Sequence, residues 1–90
     1  MDIDQIVKIH KALGDRTRYL IMENVINNNT SCPSKLCNNL DGVANSTLSH
    51  HLKILSDSGL IIPDKKGTYI FYRYDKKLAQ YFVPELIDGF

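Results

Sequence analysis

Apolar positions at the start of the chain recur every three or four residues. The residues of this stripe are Ile3, Ile6, Val7, His10 and Leu13, a spacing that places them on one face of a helix. Asp2 is suited to cap the start of that helix, and Gly14 is suited to end it. The pattern therefore predicts an amphipathic helix that ends near residue 14.

A second helix is predicted after Asp15, whose side chain can cap it. Its apolar residues lie on nearly every side and are Tyr19, Leu20, Ile21, Met22, Val25 and Ile26. A helix that is apolar all round belongs in the middle of a core. The polar run at 27–30 predicts its end, because short polar side chains compete for backbone hydrogen bonds.

The next segment predicts two helices joined by a turn. Pro33 favours the first position of a short helix that reaches about residue 40, and the Asp-Gly pair at 41–42 indicates a turn. A further helix is predicted over about 45–58, with one apolar arc that contains Leu48, Leu52 and Leu55. Its opposite arc is short, polar and able to form hydrogen bonds. This arrangement fits the outline of a helix-turn-helix.

The pattern changes from helical to alternating after Gly59, which suits the positive φ that often follows a helix. Residues 60–62 predict a strand, residues 63–67 a turn and residues 68–74 a second strand. Together these segments predict a β-hairpin with lysines at its tip.

A last helix is predicted after Asp75, which can cap it. We expect Leu78, Tyr81 and Phe82 to face inward. Pro84 removes a backbone hydrogen bond, so this helix either stops near residue 83 or bends there.

Composition indicates one soluble globular domain that covers residues 1–90. The chain has 43% hydrophobic and 23% charged residues and a formal net charge of +1. The charge is uneven, because residues 45–77 contain six basic residues against three acidic ones, a local charge of +3. The predicted fold class is α+β, mainly α: a winged helix-turn-helix with about four helices, a two-stranded β-hairpin wing and a C-terminal helix.

Several classes of protein are not expected from this sequence. No apolar run approaches the roughly 20 residues of a membrane span, and the N-terminus lacks a secretory signal, which predicts a cytoplasmic protein without a membrane partner. No glycine-rich phosphate loop is present, and we expect no cofactor. Ser49, His50 and Asp57 lie on one helix and cannot align as nucleophile, base and orienting group, so an enzyme is not expected.

Double-stranded DNA explains each part of the predicted architecture. The major groove admits one helix, whose first turns present side chains to base edges. In the helix at 45–58 the predicted DNA-binding residues are Asn45, Ser46, Thr47, Ser49 and His50, with Lys53 placed for phosphate. At the hairpin tip they are Lys65, Lys66 and Gly67, which are placed for the backbone or minor groove.

Other interpretations of the same residues stay open. A polar helix face can be merely solvated, and a winged helix with a net charge of only +1 can bind another protein instead of DNA. We expect His51, at the edge of the leucine arc, to be packed and hydrogen-bonded. We expect Tyr69, Phe71 and Tyr72 to pack within the hairpin.

Three stretches carry a resemblance to a known family. They are Lys11-Ala-Leu-Gly-Asp-Arg-Thr-Arg-Tyr-Leu-Ile-Met22, Ser46-Thr-Leu-Ser-His-His-Leu-Lys-Ile-Leu55 and Gly59-Leu-Ile61. In combination they resemble the ArsR/SmtB family of bacterial and archaeal winged-helix repressors, over about residues 5–75. The resemblance implies a homodimer that binds an inverted-repeat operator, a dimer interface built by the first and last helices, and usually release by an inducer. It also implies a structural role for Arg18.

The inducer sites of the family are incomplete in this chain. Cys32 matches the first cysteine of the family's metal-binding Cys-x-Cys pair, but Ser34 occupies the second position. No histidine follows His51, so the zinc site that other members form between their last helices is absent from the sequence. Cys32 and Cys37 are therefore interpreted as inert thiols, with a thiol-reactive or redox sensor and a soft-metal site as alternatives.

Overall fold

The computed structural model describes residues 1–28, 45–67 and 69–88, with only the backbone for 28, 45, 46, 66, 69 and 88. Within these residues the elements are α1 (Ile3–Leu13), α2 (Arg16–Asn28), α3 (Asn45–Asp57), β1 (Ile61–Lys66), β2 (Tyr69–Tyr74), α4 (Lys76–Phe82) and α5 (Pro84–Asp88). The predicted helix at 33–40, the turn at 41–42 and both cysteines lie outside the described residues.

The first helix has the predicted bounds and cap. The side chain of Asp2 accepts a hydrogen bond of 2.8 Å from the backbone N–H of Gln5, and α1 ends before Gly14. The predicted apolar stripe is not the buried face, however. The fully buried residues of α1 are Ile9 and Ala12, whereas Ile3 and Val7 are exposed. Leu13, at the end of the stripe, does pack against the core, so the stripe is exposed mainly at its start.

The second helix lies in the middle of the core, as its composition predicts. Ile21, Met22 and Val25 are completely buried. The helix ends at Asn28, within the polar run at 27–30 that predicts its end. Among the described residues, the rest of the core comes from α1, α3, the hairpin and the C-terminal segment, and includes Ile9, Ala12, Leu48, Leu52, Leu55, Leu60, Ile61, Tyr72, Ala79, Val83 and Leu86.

The chain turns from α3 into the hairpin through a short buried segment. The hydroxyl of Ser58 donates to the carbonyl of Leu55 at 2.6 Å and accepts from the N–H of Leu60 at 3.3 Å. Gly59 has φ +88°, a left-handed conformation that favours glycine and that follows many helix ends. These contacts fix the direction in which β1 leaves α3.

The hairpin is confirmed, but the predicted turn at 63–67 is wrong. β1 and β2 pair antiparallel from Ile61 opposite Tyr74 to Lys66 opposite Tyr69, so only residues 67 and 68 connect the strands. Pro63 lies inside β1, which pairs only with β2 among the described residues, and an edge strand tolerates a residue without an N–H. Gly67 has φ +63°, as tight hairpin turns require.

The C-terminal segment stops and restarts at Pro84. The side chain of Asp75 caps α4 by accepting from the N–H of Leu78 at 3.0 Å, and α4 ends before Val83, after which Pro84 begins α5. The prediction that Tyr81 faces inward is wrong, because its side chain is 81% exposed. Ala79 and Val83, four residues apart, fill the core instead, and Tyr81 lies about 200° around the helix axis from Ala79.

A side-chain hydrogen bond attaches α5 to α2. The hydroxyl of Tyr19 donates to Oε2 of Glu85 at 2.7 Å. Burial, together with this hydrogen bond to a carboxylate, raises the pKa of Tyr19 to about 12. The phenol therefore keeps its proton, and the contact persists at any pH near neutrality.

Candidate nucleic-acid interface

The inner face of α3 is fixed by the core. Leu48, Leu52 and Leu55 are all at most 1% exposed, and they follow one another at intervals of four and three residues. Because these three side chains are locked in the core, the rotation of α3 about its own axis is set. Of the residues between them, His51 and Ile54 are half-buried and the others are exposed.

The outer face of α3 carries most of the predicted DNA-binding residues. Thr47, Ser49, His50 and Lys53 are exposed. Asn45 and Ser46 form the first turn of the same helix, where their backbone is helical. The structure thus presents a polar surface of short side chains, followed one turn later by a lysine. Such a surface can donate and accept hydrogen bonds along a groove.

Lys53 does not stand alone on this face. Its ammonium group lies 3.1 Å from Oδ2 of Asp57, one helical turn further on. Both side chains are largely exposed, at 73% for Lys53 and 60% for Asp57. The sequence analysis predicted that Lys53 binds phosphate and did not predict its ion pair with Asp57. A spacing of four residues on a helix is a recognised signal for such a pair.

Arg18, a residue of α2, connects α3 with α1. Its Nε donates to the carbonyl of Ala12 at 2.9 Å and its Nη2 to that of Lys11 at 3.3 Å. Its Nη1 lies 3.2 Å from Nδ1 of His51. The three contacts occupy the guanidinium group, which confirms the structural role expected for Arg18.

His51 is packed and hydrogen-bonded, as predicted. Its side chain is 14% exposed, and it meets Arg18 across the α2 and α3 contact. An arginine can only donate, so Nδ1 of His51 accepts, which assigns the ring proton to Nε2. His51 therefore belongs to the support of α3, whereas the adjacent His50 belongs to its exposed face.

Asp15 completes this support from the start of α2. Its carboxylate accepts from the backbone N–H of Arg18 at 3.0 Å, the capping contact that the sequence predicts. This hydrogen bond, with the nearby positive charge of the same arginine, holds the pKa of Asp15 below its ordinary value. Asp15 is therefore ionised throughout the neutral range.

The hairpin tip presents the remaining predicted residues. Lys65 is exposed near the end of β1, Lys66 ends that strand, and Gly67 follows in the turn. A Cβ atom added at Gly67 would meet nothing within 4 Å, so the tip is open to solvent. These residues lie on a different element from those of α3.

An open groove separates α1 from the C-terminal end of α3. Its volume is about 350 Å³, and it is lined by Lys8, Lys11, Ile54, Asp57 and Ser58. Ile54 forms the main apolar part, and the lysines stand on the α1 side. Sequence reasoning did not identify this groove, because the residues come from two distant parts of the chain.

Neither a metal site nor a membrane span occurs among the described residues. There, no three or more histidine, cysteine or acidic side chains come together in a way that could hold a metal ion. In the same part of the chain, no helix is both long enough and apolar enough to cross a membrane.

The architecture, a mainly helical domain with α3 leading into a two-stranded hairpin, is that of the winged helix-turn-helix proteins. The solved homodimeric winged helix-turn-helix DNA-binding domain of a possible ArsR-family regulator from Mycobacterium bovis shares this fold. Its TM-score is 0.78 at 23% identity, over 97% of this chain and 80% of that one.

Sequence comparison defines the family. The family described as bacterial regulatory protein, arsR family, matches residues 15–62. An uncharacterized HTH-type transcriptional regulator of Methanocaldococcus jannaschii is 36% identical over 69 residues, which are 77% of this chain and 76% of that protein. An arsenical resistance operon repressor of Bacillus subtilis is 40% identical over 62 residues, 69% of this chain but only 58% of the repressor. The chain belongs to the ArsR family of transcriptional regulators.

Proposed function

We propose that this chain is a cytoplasmic, homodimeric repressor that binds an inverted-repeat operator. The observation that carries the proposal is the division of α3 into a locked apolar face and an exposed polar face. The relatives support it, because one of them is named as a repressor and the Mycobacterium bovis domain is homodimeric and DNA-binding.

The exposed face of α3 is the base-reading surface of the proposal. The hydroxyls of Ser46, Thr47 and Ser49 serve bases or phosphates, and the methyl group of Thr47 can contact thymine. Asn45 pairs with adenine edges, and His50 reads a base near the middle of the contact. Lys53 binds phosphate, which contributes affinity without sequence information.

The hairpin tip is the second contact in the proposal. Lys65 and Lys66 lie along the adjacent backbone or minor groove, and Gly67 lets the chain approach closely. Each lysine that neutralises a phosphate releases counterions, so the tip contributes to the salt dependence of binding.

The terminal helices form the dimer interface of the proposal. Ile3 and Val7 are exposed apolar residues of α1, and His10 continues their stripe. The ring of His10 meets Phe82 edge-on at 5.5 Å, and Phe82 in turn contacts the exposed Tyr81. An exposed apolar stripe that crosses from one terminal helix to another is typical of an interface with a second subunit. Two subunits related by a twofold axis then place two copies of α3 in major grooves about 34 Å apart, or a multiple of that distance.

DNA binding is tested by measuring affinity for duplex fragments across a range of salt concentrations. The double variant Lys65→Ala, Lys66→Ala should bind all sequences more weakly and lower the salt slope by roughly two charges. The matched control is Lys76→Ala, Lys77→Ala, which removes the same charge from exposed residues of α4. An equal effect of both double variants would show that the hairpin tip does not contact the DNA.

If the wild type shifts no duplex in a gel mobility assay at low salt, the proposal is wrong and the protein-interaction alternative gains support. The thiol-responsive alternative is separated by treatment with diamide. It requires a change of DNA binding in the wild type that is absent from the double variant Cys32→Ser, Cys37→Ser.

The dimer interface is tested by sedimentation equilibrium. Ile3→Glu and Tyr81→Glu place charges on exposed apolar positions, so both variants should fold and sediment as monomers. Ile62→Glu changes an exposed apolar residue of β1 in the same way and should stay dimeric. Dimers in all three variants would contradict an interface built from the terminal helices.

A further inference from the structure

We infer that Asp57 is a specificity-determining residue, which withholds Lys53 from DNA until α3 is fully seated in a matching groove. The inference rests on the proposed placement of α3 and adds a new role to it. Asp57 would lower the affinity for unrelated sequences more than the affinity for the operator.

Lys53 and Asp57 already form an ion pair in the absence of DNA. The Lys53 ammonium and the Asp57 carboxylate are 3.1 Å apart on the exposed face that the proposal assigns to DNA. Both groups are open to solvent, so the contact can break and re-form at little cost. A phosphate that approaches Lys53 must therefore compete with a carboxylate that is already in place.

This ion pair contributes little to the stability of α3. In the favourable order of a helical ion pair the acid precedes the base, and here Lys53 precedes Asp57. Asp57 is also the last residue of α3, where the helix dipole disfavours a negative charge. Removal of the charge should therefore leave the fold intact.

Asp57 has other basic residues near it besides Lys53. Its side chain also lines the groove between α1 and α3, together with Lys8 and Lys11. Among the described residues neither of these lysines forms an ion pair. The carboxylate therefore retains basic neighbours after Lys53 turns to phosphate, which makes the exchange of partners reversible.

Distance decides which partner Lys53 takes. The attraction between two charges falls with their separation, so a phosphate several ångströms farther away than the carboxylate cannot displace it. On unrelated DNA the helix lies loosely on the backbone, and Lys53 stays with Asp57. In the specific complex the helix is held in the groove by base contacts, which bring a phosphate to the lysine.

The test is a double-mutant cycle with two DNA probes. The proteins are the wild type, Asp57→Asn, Lys53→Ala and the double variant. One probe is a duplex selected by the wild type from a random-sequence pool, and the other is a shuffled duplex of the same composition. Dissociation constants are measured by fluorescence anisotropy at several salt concentrations.

Asp57→Asn should tighten binding to the shuffled duplex about two- to fivefold, the range of an exposed ion pair. It should also steepen the salt slope on that duplex by about 0.9, the value for one more phosphate contact. On the selected duplex the affinity should change by less than about twofold. In the Lys53→Ala background, Asp57→Asn should have no effect on the shuffled duplex.

Asp4→Asn is the control, because it makes the same charge change at another exposed carboxylate. An equal gain from Asp4→Asn, or a gain that persists without Lys53, would show that Asp57 acts through net charge alone. Equal gains on both duplexes, or no gain on the shuffled one, would also overturn the inference. Failure of the wild type to enrich or bind any duplex is a different result, since it removes the DNA-binding function itself.

Discussion

The two faces of α3 belong to one helix and have opposite constraints. On the inner face, Leu48, Leu52 and Leu55 are buried in the core and fix how the helix sits. On the outer face, Ser49 and His50 are exposed, so the fold places few demands on them. Under the proposed function, stability and recognition are separable on this element, because different residues carry them. Substitutions can therefore test the two properties independently.

The inner face should give the largest effect on stability. Leu52→Ala removes a side chain that is 1% exposed and leaves a cavity, so the free energy of unfolding should fall by about 2–5 kcal/mol. Urea titration at a fixed subunit concentration measures this change, because dimerisation makes stability depend on concentration. Lys53→Ala, at the adjacent exposed position, should alter stability by less than about 0.5 kcal/mol. Similar losses in both variants would break the distinction between the faces.

The outer face should give the largest effect on sequence preference. His50→Ala should leave stability nearly unchanged, and it should weaken discrimination between the selected and shuffled duplexes by about 1–3 kcal/mol if a base contact is lost. Competition binding with both duplexes measures that difference. A loss of the same size on the two duplexes would show that His50 contributes affinity only, and that base reading lies elsewhere on α3.

Local patterns were enough for the inner face and for the helix caps. Leucines spaced four and three apart predicted the buried side of α3, and Gly59 predicted its end, because each depends on neighbours in the same segment. The side chains of Asp2, Asp15 and Asp75 cap helices as expected for the same reason.

Contacts between segments were harder to predict. Pro63 indicated a turn, yet β1 accommodates it because, in the part of the chain that the structure describes, the strand pairs with β2 alone. Tyr81 matched the predicted inward face, but the segment packs through Ala79 and Val83 and leaves Tyr81 exposed. On the candidate site, the Lys53 and Asp57 pair follows from spacing, whereas the partners of Arg18 depend on how three helices pack.

His51 lies at the boundary between the two faces of α3, and substitutions there test whether it contributes to stability or to sequence preference. His51→Leu removes the acceptor for Nη1 of Arg18 and should lower the free energy of unfolding by about 1.5 kcal/mol. His51→Asn is the control, because its amide oxygen can occupy the position of Nδ1 and should recover part of the loss. Preference between the selected and shuffled duplexes should be unchanged in both variants. A changed preference would place His51 with the outer face.

Asp15 supports α3 through Arg18, its Oδ2 also lies 4.0 Å from Nδ1 of His51, and it gives the smallest expected effect. Asp15→Ala removes the cap of α2 and should cost about 1 kcal/mol at neutral pH. Because the pKa of Asp15 is lowered in the folded state, its contribution is present above the unfolded pKa and is lost as pH falls through the folded value. The difference between wild type and Asp15→Ala should therefore be constant at neutral pH and shrink below about pH 4.

Thermal or urea unfolding at a series of pH values measures that difference, and Asp15→Asn separates the cap from the charge. Asparagine caps helices about as well as aspartate, so this variant should keep most of the stability at neutral pH. It has no carboxyl group to titrate, and its difference from Asp15→Ala should not shrink in acid. If instead Asp15→Asn is as unstable as Asp15→Ala, the charge beside Arg18 matters more than the cap. The support of α3 would then depend on electrostatic attraction across the α2 and α3 contact, and the boundary between the two faces would be sensitive to salt.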